Sequence, residues 1–468
     1  MSVHVGQSEF APSFQDAAKV LLGNKQIRAN VRRATDTIRN KRARMVDEMP
    51  DWEELRNSAQ QIKQSVLRNL AGYLEQFEKN CTAAGGHVHW ARDADEANQI
   101  VIGLMKERGH TEMIKVKTMT SDETQLNVAL EANGITPWET DLADLIIQLG
   151  HDKPSHIVVP ALHKNKTEIR ELFLETMHLS ELGTAPEDLT AAARTYLRER
   201  FLRVPVGFSG SNFAVAETGS VVVVESEGNG RMCVTLPDML ITMLGIEKII
   251  PTFDDLEVFL QLLPRSATGE RMNPYNSIWT GTTEGDGPKE FHVILLDNGR
   301  TKILADEESR ETLHCIRCAA CLNACPVYRQ TGGHAYGSIY SGPIGAILTP
   351  QLQSMEHSQS LPYASSLCGA CYEVCPVKIN IPEILIHLRR KIVEQGDGPW
   401  GEGMAMKMAA FGMQEGSRIS LGQKLMRIGH KPFETVMMAA WTETRDLPEI
   451  PKESFREWWA SRKKGSAQ

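Results

Sequence analysis

The chain has 468 residues, of which 41% are hydrophobic and 24% are charged, as in ordinary folded proteins. Its net charge of −8 gives no support to nucleic-acid binding over the whole chain. The N-terminus does not resemble a secretory signal, and no apolar run reaches the roughly 18 residues that span a bilayer. We therefore expect a cytoplasmic protein of two or three domains, with peripheral attachment to the inner membrane face left open.

Residues 1–80 have a helix-forming composition and predict an N-terminal helical segment. Pro50 interrupts the pattern, and Asp51 is placed to cap the helix that follows. The basic residues from Arg28 to Arg44 fit a solvated helix face better than a docking site for an acidic partner.

From residue 81 to 300 the pattern changes to short apolar runs separated by helical stretches. Predicted strands lie at 87–91, 113–117, 156–160, 220–226, 248–251 and 291–297, and predicted helices at 93–109, 121–134 and 165–177. Strands that alternate with helices indicate an α/β domain with a largely parallel sheet. This region contains no GxGxxG sequence, so we assign no dinucleotide site.

Residues 315–375 hold seven of the nine cysteines. The first motif carries Cys315, Cys318, Cys321 and Cys325 before Pro326, and the second carries Cys368, Cys371 and Cys375 before Pro376. In a reducing compartment such clustering points to metal or redox chemistry rather than to disulfides. Cys81 and Cys233 lack partners at ligand spacing, and we expect them to be inert thiols.

Three cysteines at successive x2 spacing, followed by x3-Cys-Pro, are the ligand pattern of two-cluster ferredoxins. The last cysteine of such a run binds the other cluster. The chain is therefore predicted to hold two 4Fe-4S clusters. Cluster 1 takes Cys315, Cys318, Cys321 and Cys375, and cluster 2 takes Cys325, Cys368 and Cys371.

The second motif has Ser365 where the pattern expects a cysteine, three residues before Cys368. A serine oxygen, a water, a partner residue or a missing fourth iron would account for the difference. We favour a 4Fe-4S cluster at this site, with a 3Fe-4S cluster as the alternative. Zinc is less favoured, because three cysteines at successive x2 spacing fit a 4Fe-4S cluster better, and a thiol redox switch does not need seven cysteines with two Cys-Pro endings. His314, His334 and His357 fit loop positions better than ligand positions.

The residues after the second motif predict a helix opened by Pro382, which completes a ferredoxin-type domain over 301–396. Ile384, Leu385 and Leu388 fall on one face of this helix. The tail from 397 to 468 predicts a C-terminal extension of helices, whose methionines we expect to fill gaps in a core.

Long stretches of the chain resemble the lactate utilisation protein B family, the iron–sulfur subunit of a bacterial L-lactate oxidation system. The stretches that carry the resemblance are 117–149, 156–169, 207–229, the two cysteine motifs and 445–459. A second motif with three cysteines looks like the pattern of that family, so Ser365 does not mark a degenerate protein.

The resemblance implies both a fold and a function. Residues 81–300 would form a domain like those of the ribose-isomerase and CoA-transferase superfamily, followed by an α-helical, ferredoxin-like two-cluster module and the C-terminal extension. The chain would be an electron-transferring oxidoreductase subunit in a complex that oxidises L-lactate to pyruvate. One sister subunit would be a cysteine-rich protein like heterodisulfide reductase, and the other would share the N-terminal domain type. The motifs do not say which subunit binds lactate.

A rival interpretation makes the N-terminal domain a CoA transferase or an isomerase, with clusters that only stabilise the fold. It rests on Glu217, which precedes a glycine turn and a strand as a nucleophilic carboxylate would. Hydrogen bonding of the loop by Glu217 and Asn212 is the plainer explanation. Further polar candidates for a pocket that binds a small anion are Lys117, Ser121, Glu123, Asn127, Asp141, His163, Lys164 and Asn165.

Overall fold

The computed structural model describes residues 12–396, 400–436, 446, 449 and 451–465. The start of the predicted N-terminal segment and parts of the predicted tail, including 397–399 and 437–445, lie outside the described residues. The described residues form two compact units, one that ends at Lys391 and one that begins at Ile392.

The N-terminal segment is helical, as its composition predicts. Its helices are α1 (Phe14–Leu22), α2 (Lys25–Asp47), α3 (Trp52–Arg68) and α4 (Leu70–Ala83). The side chains of Ser13 and Asn24 cap the first two helices, since each accepts a hydrogen bond from a backbone N–H of the first turn. Asp51 occupies the N-cap position of α3, so the predicted start of that helix is confirmed, but its side chain makes no capping hydrogen bond.

The α/β part contains two sheets. Its strands are β1 (His87–Ala91), β2 (Glu112–Lys115), β3 (Thr136–Glu139), β4 (Val206–Ser209), β5 (Phe213–Val215), β6 (Ser220–Glu225), β7 (Met239–Gly245), β8 (Ile249–Ile250), β9 (Tyr275–Trp279) and β10 (Glu290–Leu296). The main sheet is parallel throughout, in the order β1-β10-β7-β4-β2-β3. The predicted parallel sheet is confirmed. A smaller mixed sheet has the order β8-β5-β6-β9.

Helices pack against both faces of the main sheet. The helices of this part are α5 (Ala94–Glu107), α6 (Met119–Glu123), α7 (Leu126–Glu131), α8 (Leu142–Leu149), α9 (Lys166–Thr176), α10 (Pro186–Arg203), α11 (Asn229–Thr235) and α12 (Phe253–Ala267). In the central strand β7, Leu240 and Leu244 share a core with α4, whereas Ile241 and Met243 share a second core with α5. A strand buried on both faces is apolar along its whole length. The sequence of β7 therefore lacks the alternation of apolar and polar residues that predicts a strand.

Two local predictions are wrong. Residues 156–160 form an irregular bent segment rather than a strand, in which His156 Nδ1 accepts hydrogen bonds from the backbone N–H groups of Val158 and Val159, both at 3.0 Å. The helix predicted over 121–134 is divided into α6 and α7 at Gln125, whose φ of 55° is left-handed and ends the first helix.

The region that contains the cysteine motifs consists of short helices. They are α13 (Arg300–Ala305), α14 (Ala320–Ala324), α15 (Tyr328–Thr331), α16 (Gly342–Leu352), α17 (Met355–Ser358), α18 (Ala370–Glu373) and α19 (Ile381–Glu394). The last of these is the helix predicted around Pro382, and Ile384, Leu385 and Leu388 are buried in the core as its apolar face requires.

The N-terminal helices pack on the cysteine region and share one hydrophobic core with it. Arg56 of α3 donates hydrogen bonds to the backbone carbonyls of Cys375, at 2.9 Å, and Tyr372, at 3.3 Å. Arg42 of α2 donates to the carbonyl of Val374 at 3.1 Å. The two arginines therefore fasten the second cysteine motif to helices that begin more than 300 residues earlier in the chain.

The second unit contains α20 (Trp400–Met413), α21 (Gly416–Val436) and α22 (Phe455–Gly465). Glu457 accepts hydrogen bonds from Ser454 and pairs with Arg427 at 2.5 Å, which joins α22 to α21. The methionines of α20 are exposed, so the expectation that the tail's methionines fill gaps in a core is wrong for these residues. Met437 and Met438 lie outside the described residues. Across the described residues, no helix combines the length and the apolar character needed to cross a membrane.

Replacement of Arg56 by methionine tests how α3 stabilises the second cysteine motif. Arg56 is only 7% exposed, and the change leaves two backbone carbonyls without their charged donor. We expect a loss of about 2 kcal/mol in unfolding free energy, measured as a melting temperature lower by a few degrees. The exposed Arg198 on α10 is the matched control, and Arg198→Met should melt like the unmodified protein. Equal melting temperatures for both variants would show that the Arg56 contacts do not hold the motif.

Candidate iron–sulfur centres and the adjoining cavity

The two cysteine loops have the same unusual backbone conformation. Arg317 and Ala319, which flank Cys318, have left-handed φ angles of 61° and 60°. In the second loop Leu367 and Gly369 flank Cys368 with φ angles of 54° and 85°. Left-handed backbone is costly for residues other than glycine and persists only where the surroundings enforce it. The repetition in two separate loops indicates a shared task.

Backbone N–H groups point at the cysteine sulfurs. Arg317 N–H donates to Cys315 Sγ at 3.4 Å, Tyr328 N–H to Cys325 Sγ at 3.5 Å, and Ile379 N–H to Cys375 Sγ at 3.4 Å. The last two bonds form where the chain turns after each Cys-Pro pair. Hydrogen bonds to sulfur stabilise thiolates, and in iron–sulfur proteins they help to set the reduction potential.

By the charges that raise their pKa values, the seven motif cysteines form two groups, each with members from both loops. Burial raises the pKa of Cys318 to about 12, with the charge of Cys375 from the second loop as the next cause. Cys321 belongs to the same group, because its pKa is raised by burial and then by Cys318 and Cys315.

The second group combines Cys325 with the second loop. Burial raises the pKa of Cys371 to about 12, followed by the charges of Cys325 and Cys368. Cys321 also feels the charge of Cys371, so the two groups adjoin. Cys368 is exposed, whereas the other six motif cysteines are buried.

Buried thiols with raised pKa values stay protonated unless a cation compensates their charge. Iron supplies that charge and binds thiolates. The sulfur groups, the N–H donors and the left-handed loops therefore fit iron–sulfur clusters. Two histidines near the motifs have other contacts, since His334 bonds the carbonyl of Lys153 and His357 bonds Ser354. Burial lowers the pKa of His314 to about 3.

Ser365 takes the same local position in the second loop as Cys315 does in the first. Its Oγ accepts a hydrogen bond from Leu367 N–H at 3.1 Å, two residues ahead. Cys315 Sγ accepts from Arg317 N–H in the same way. The serine oxygen thus has the local backbone setting that a ligand sulfur has in the first loop.

A cavity of about 370 Å³ lies at the carboxyl ends of the main-sheet strands. Its polar lining follows β2, β3, β4 and β7, and it includes Lys117, Thr118, Asp141, Ser211, Glu247 and Lys248. Arg300 follows β10, and Arg317 comes from the first cysteine loop. Open parallel sheets bind ligands at this edge because the loops after successive strands converge there.

A buried ion-pair network forms the wall between the cavity and the first cysteine loop. Glu247 pairs with Arg300 at 2.5 Å and with Arg317 at 3.2 Å, and Arg300 also pairs with Glu123 at 2.8 Å. Burial opposes the ionisation of Glu247, but the charges of Arg300 and Arg317 outweigh it and lower its pKa to about 2. A Cβ at Gly245 would collide with both members of the Glu247–Arg300 pair, so this position requires glycine.

Lys248 adds a further positive charge beside this network. The residue is 8% exposed and lines the cavity. Burial lowers the pKa of its ammonium group to about 7, with the positive charge of Arg317 as the next cause. Lys117 also lines the cavity, and its ammonium donates to the carbonyl of Val158 at 2.9 Å.

The cavity lining also contains three acidic residues, Asp141, Glu225 and Glu227. Burial raises the pKa of Glu227 to about 7, with the charge of Asp141 as the next cause. The lining therefore combines basic groups, among them Arg317 of the first cysteine loop, with three carboxylates.

The sequence candidates divide between the cavity and structural roles. Lys117, Asp141 and Asn212 line the cavity, and Glu123 pairs with Arg300 in its wall. The others bond elsewhere: Ser121 to the carbonyl of Thr118, Asn127 to Lys115 and Glu139, His163 and Lys164 to Asp152, and Asn165 to the first turn of α9.

Glu217, the candidate nucleophile, is exposed and accepts a hydrogen bond from Phe253 N–H at 3.2 Å at the start of α12. It is absent from the lining of the cavity within the part of the chain that the structure describes. The plainer explanation, in which it bonds the backbone, is confirmed. Sequence reasoning missed Glu247, Lys248 and Arg300. The rule that sites lie after strand ends finds Glu247 and Lys248 only when β7 is known, whereas Arg300 follows β10, which the sequence predicts at 291–297.

Comparisons with known proteins agree with this organisation. Three family models match the chain: the LUD domain over residues 74–296, the 4Fe-4S dicluster domain over 311–379, and the C-terminal domain of lactate utilisation protein B over 387–464. The dicluster match covers both cysteine motifs and supports iron–sulfur clusters there.

Relatives match the chain over its full length. It is 43% identical to a lactate utilization protein B from Bacillus licheniformis, with 99% of both chains covered. Proteins of the same name from Bacillus subtilis (strain 168) and Macrococcus caseolyticus are also 43% identical, with 96% and 100% of both chains covered.

A solved structure of a DUF162 family protein from Deinococcus radiodurans matches 48% of this chain and 98% of its own, with 14% identity and a TM-score of 0.27. A TM-score this low carries no conclusion about the fold. The full-length identities do decide the family. Together with the matching C-terminal model, they show that the chain belongs to the lactate utilization protein B family.

Proposed function

We propose that this chain is the electron-transfer subunit of a complex that oxidises L-lactate to pyruvate. It would act with two further subunits, one a cysteine-rich iron–sulfur protein and one that shares its LUD-type domain. The relatives' name connects the chain with lactate utilisation. The observation that carries the proposal is the exchange of electrostatic neighbours between the loops, since the charge of Cys375 raises the pKa of Cys318 and the charge of Cys325 raises the pKa of Cys371.

This exchange supports two clusters held close together. Cluster 1 would be bound by Cys315, Cys318, Cys321 and Cys375, and cluster 2 by Cys325, Cys368 and Cys371. The oxidation of a 2-hydroxy acid releases two electrons, whereas each 4Fe-4S cluster passes electrons singly. Two adjoining clusters suit such a relay. The buried group lies beside the cavity, and the other group contains the exposed Cys368, which gives the relay an inner and an outer end.

Ser365 would complete cluster 2 as an oxygen ligand. Its Oγ accepts the same i+2 backbone hydrogen bond as the sulfur of Cys315. An oxygen ligand alters the reduction potential of a cluster relative to a fourth thiolate. The two clusters would therefore differ in potential, although their loops have the same shape.

The relay requires cluster 1, which Cys318→Ser should remove or disrupt. We expect loss of one cluster's signal in electron paramagnetic resonance and loss of lactate-dependent dye reduction by the assembled complex. Far-ultraviolet circular dichroism should stay close to that of the unmodified protein, because the main sheet has its own cores.

The control for this experiment is Cys233→Ser, which removes a buried thiol outside the motifs. Cys233 Sγ lies 3.3 Å from Thr140 Oγ1, and a serine hydroxyl keeps that contact. This variant should retain both signals and the dye reduction. Normal lactate-dependent dye reduction in Cys318→Ser would contradict the relay.

Substitutions at Ser365 test the fourth ligand of cluster 2. The unmodified protein should contain about eight iron atoms per chain, as two 4Fe-4S clusters do. Ser365→Ala should lower the count by about one and produce a 3Fe-4S signal. Ser365→Cys should keep the iron count and shift the midpoint potential of one cluster only.

The neighbouring Ser366 is exposed and supplies the matched control. Ser366→Ala should leave iron content and spectra unchanged. If Ser365→Ala behaves in the same way as Ser366→Ala, the serine oxygen is not a ligand.

A further inference from the structure

The cavity beside cluster 1 has the position and the size of a site for a small molecule. It gathers residues from the carboxyl ends of successive parallel strands, where open α/β sheets bind ligands. Its volume of about 370 Å³ falls at the lower end of the range for ligand pockets, which suits a small occupant.

The basic groups of its lining are unequally paired. The two carboxylates, Glu123 and Glu247, are shared by Arg300 and Arg317. Lys248 takes part in none of these ion pairs. Among the described residues its ammonium has neither a hydrogen-bond acceptor nor an ion-pair partner, although the residue is more than nine-tenths buried. A buried ammonium without a partner is costly, so such a group is expected to meet an anion.

The acidic residues of the lining restrict the kind of anion. Asp141, Glu225 and Glu227 line the same cavity, and their carboxylates would repel additional negative charge on an occupant. The arrangement favours a small ligand with a single negative charge, which Lys248 would bind. It disfavours dicarboxylates and nucleotide phosphates.

We propose that this cavity binds a small monocarboxylate anion and that Lys248 is the cation that anchors its carboxylate. The identity of the occupant rests on the proposed function, which makes it a 2-hydroxy acid or the corresponding 2-oxo acid. Arg317 connects the site to cluster 1, because it lines the cavity and lies between Cys315 and Cys318. An occupant therefore lies beside the first cysteine loop, at the inner end of the relay.

The first test measures binding by the full-length, cluster-loaded chain under anaerobic conditions. Isothermal titration calorimetry with L-lactate and with pyruvate should show saturable binding to one site, whereas succinate and inorganic phosphate should bind more weakly. Electron paramagnetic resonance of the unmodified protein should show that L-lactate changes the signal of cluster 1. Sodium chloride at the same ionic strength should not change it. This second measurement needs no variant.

Lys248→Met should weaken binding of the monocarboxylate by about ten- to a hundredfold, the effect of losing one charged hydrogen-bond donor. Lys248→Arg keeps the charge and should retain part of the affinity. The exposed Lys302 on α13 is the matched control, and Lys302→Met should bind like the unmodified protein. Iron content should be the same in all of these variants.

Two results would overturn the inference: no saturable binding of either monocarboxylate with no change at cluster 1, or unchanged affinity in a folded Lys248→Met protein. Failure of this inference can be distinguished experimentally from failure of the proposed function. If the chain binds no monocarboxylate but the complex still needs Cys318 for lactate oxidation, the relay stands and another subunit holds the substrate. If the chain binds lactate but Cys318→Ser leaves oxidation intact, the site stands and the relay fails.

Discussion

The approach of the two cysteine loops is the constraint on which this region depends. Cys375 of the second loop is an electrostatic neighbour of Cys318 in the first, and Cys325 of the first loop is a neighbour of Cys371 in the second. Neither pair can form unless both loops are folded and opposed. Arg42 and Arg56 add to this constraint, because they fasten the second motif to the N-terminal helices through backbone carbonyls. The helices, although remote in sequence, are therefore part of the framework that positions the sulfurs.

A single carboxylate connects this framework to the α/β part. Glu247 follows β7 and accepts ion pairs from Arg300, after β10, and from Arg317, inside the first cysteine loop. Lys63 of α3 donates to its backbone carbonyl. A buried carboxylate is stable only when it is paired in this way. Because of this pairing, the strand ends, the cavity and the first cysteine loop share one wall. A change of charge in any one of them therefore changes the electrostatic potential at the other two.

Sequence spacing was sufficient for the cysteine motifs and for the parallel sheet, because both depend on short-range patterns. The cavity was not predictable in the same way. Glu247 and Lys248 become candidates only when β7 is known to end at Gly245, and a strand buried on both faces lacks the alternation that marks a strand. Arg317 lies within the first cysteine motif, and the cysteine spacing of that motif does not indicate a role for the residues between the ligands. At 156–160 the apolar run predicts a strand, but the ring of His156 accepts backbone hydrogen bonds and the segment bends instead.

The similarity of the two loops limits what could distinguish the proposed clusters. Each loop places left-handed residues on both sides of its middle cysteine, and each directs an N–H at the residue three positions before that cysteine. With similar backbones, differences between the proposed clusters would come from ligand type and surroundings. The first loop has a thiol at that position, buried sulfurs and the Arg317–Glu247 pair, whereas the second has a serine and an exposed cysteine. Solvent exposure and ligand type both alter cluster potential. Under the proposed function, the two clusters would therefore differ in potential although their loops are alike, and such a difference would give electron flow a direction.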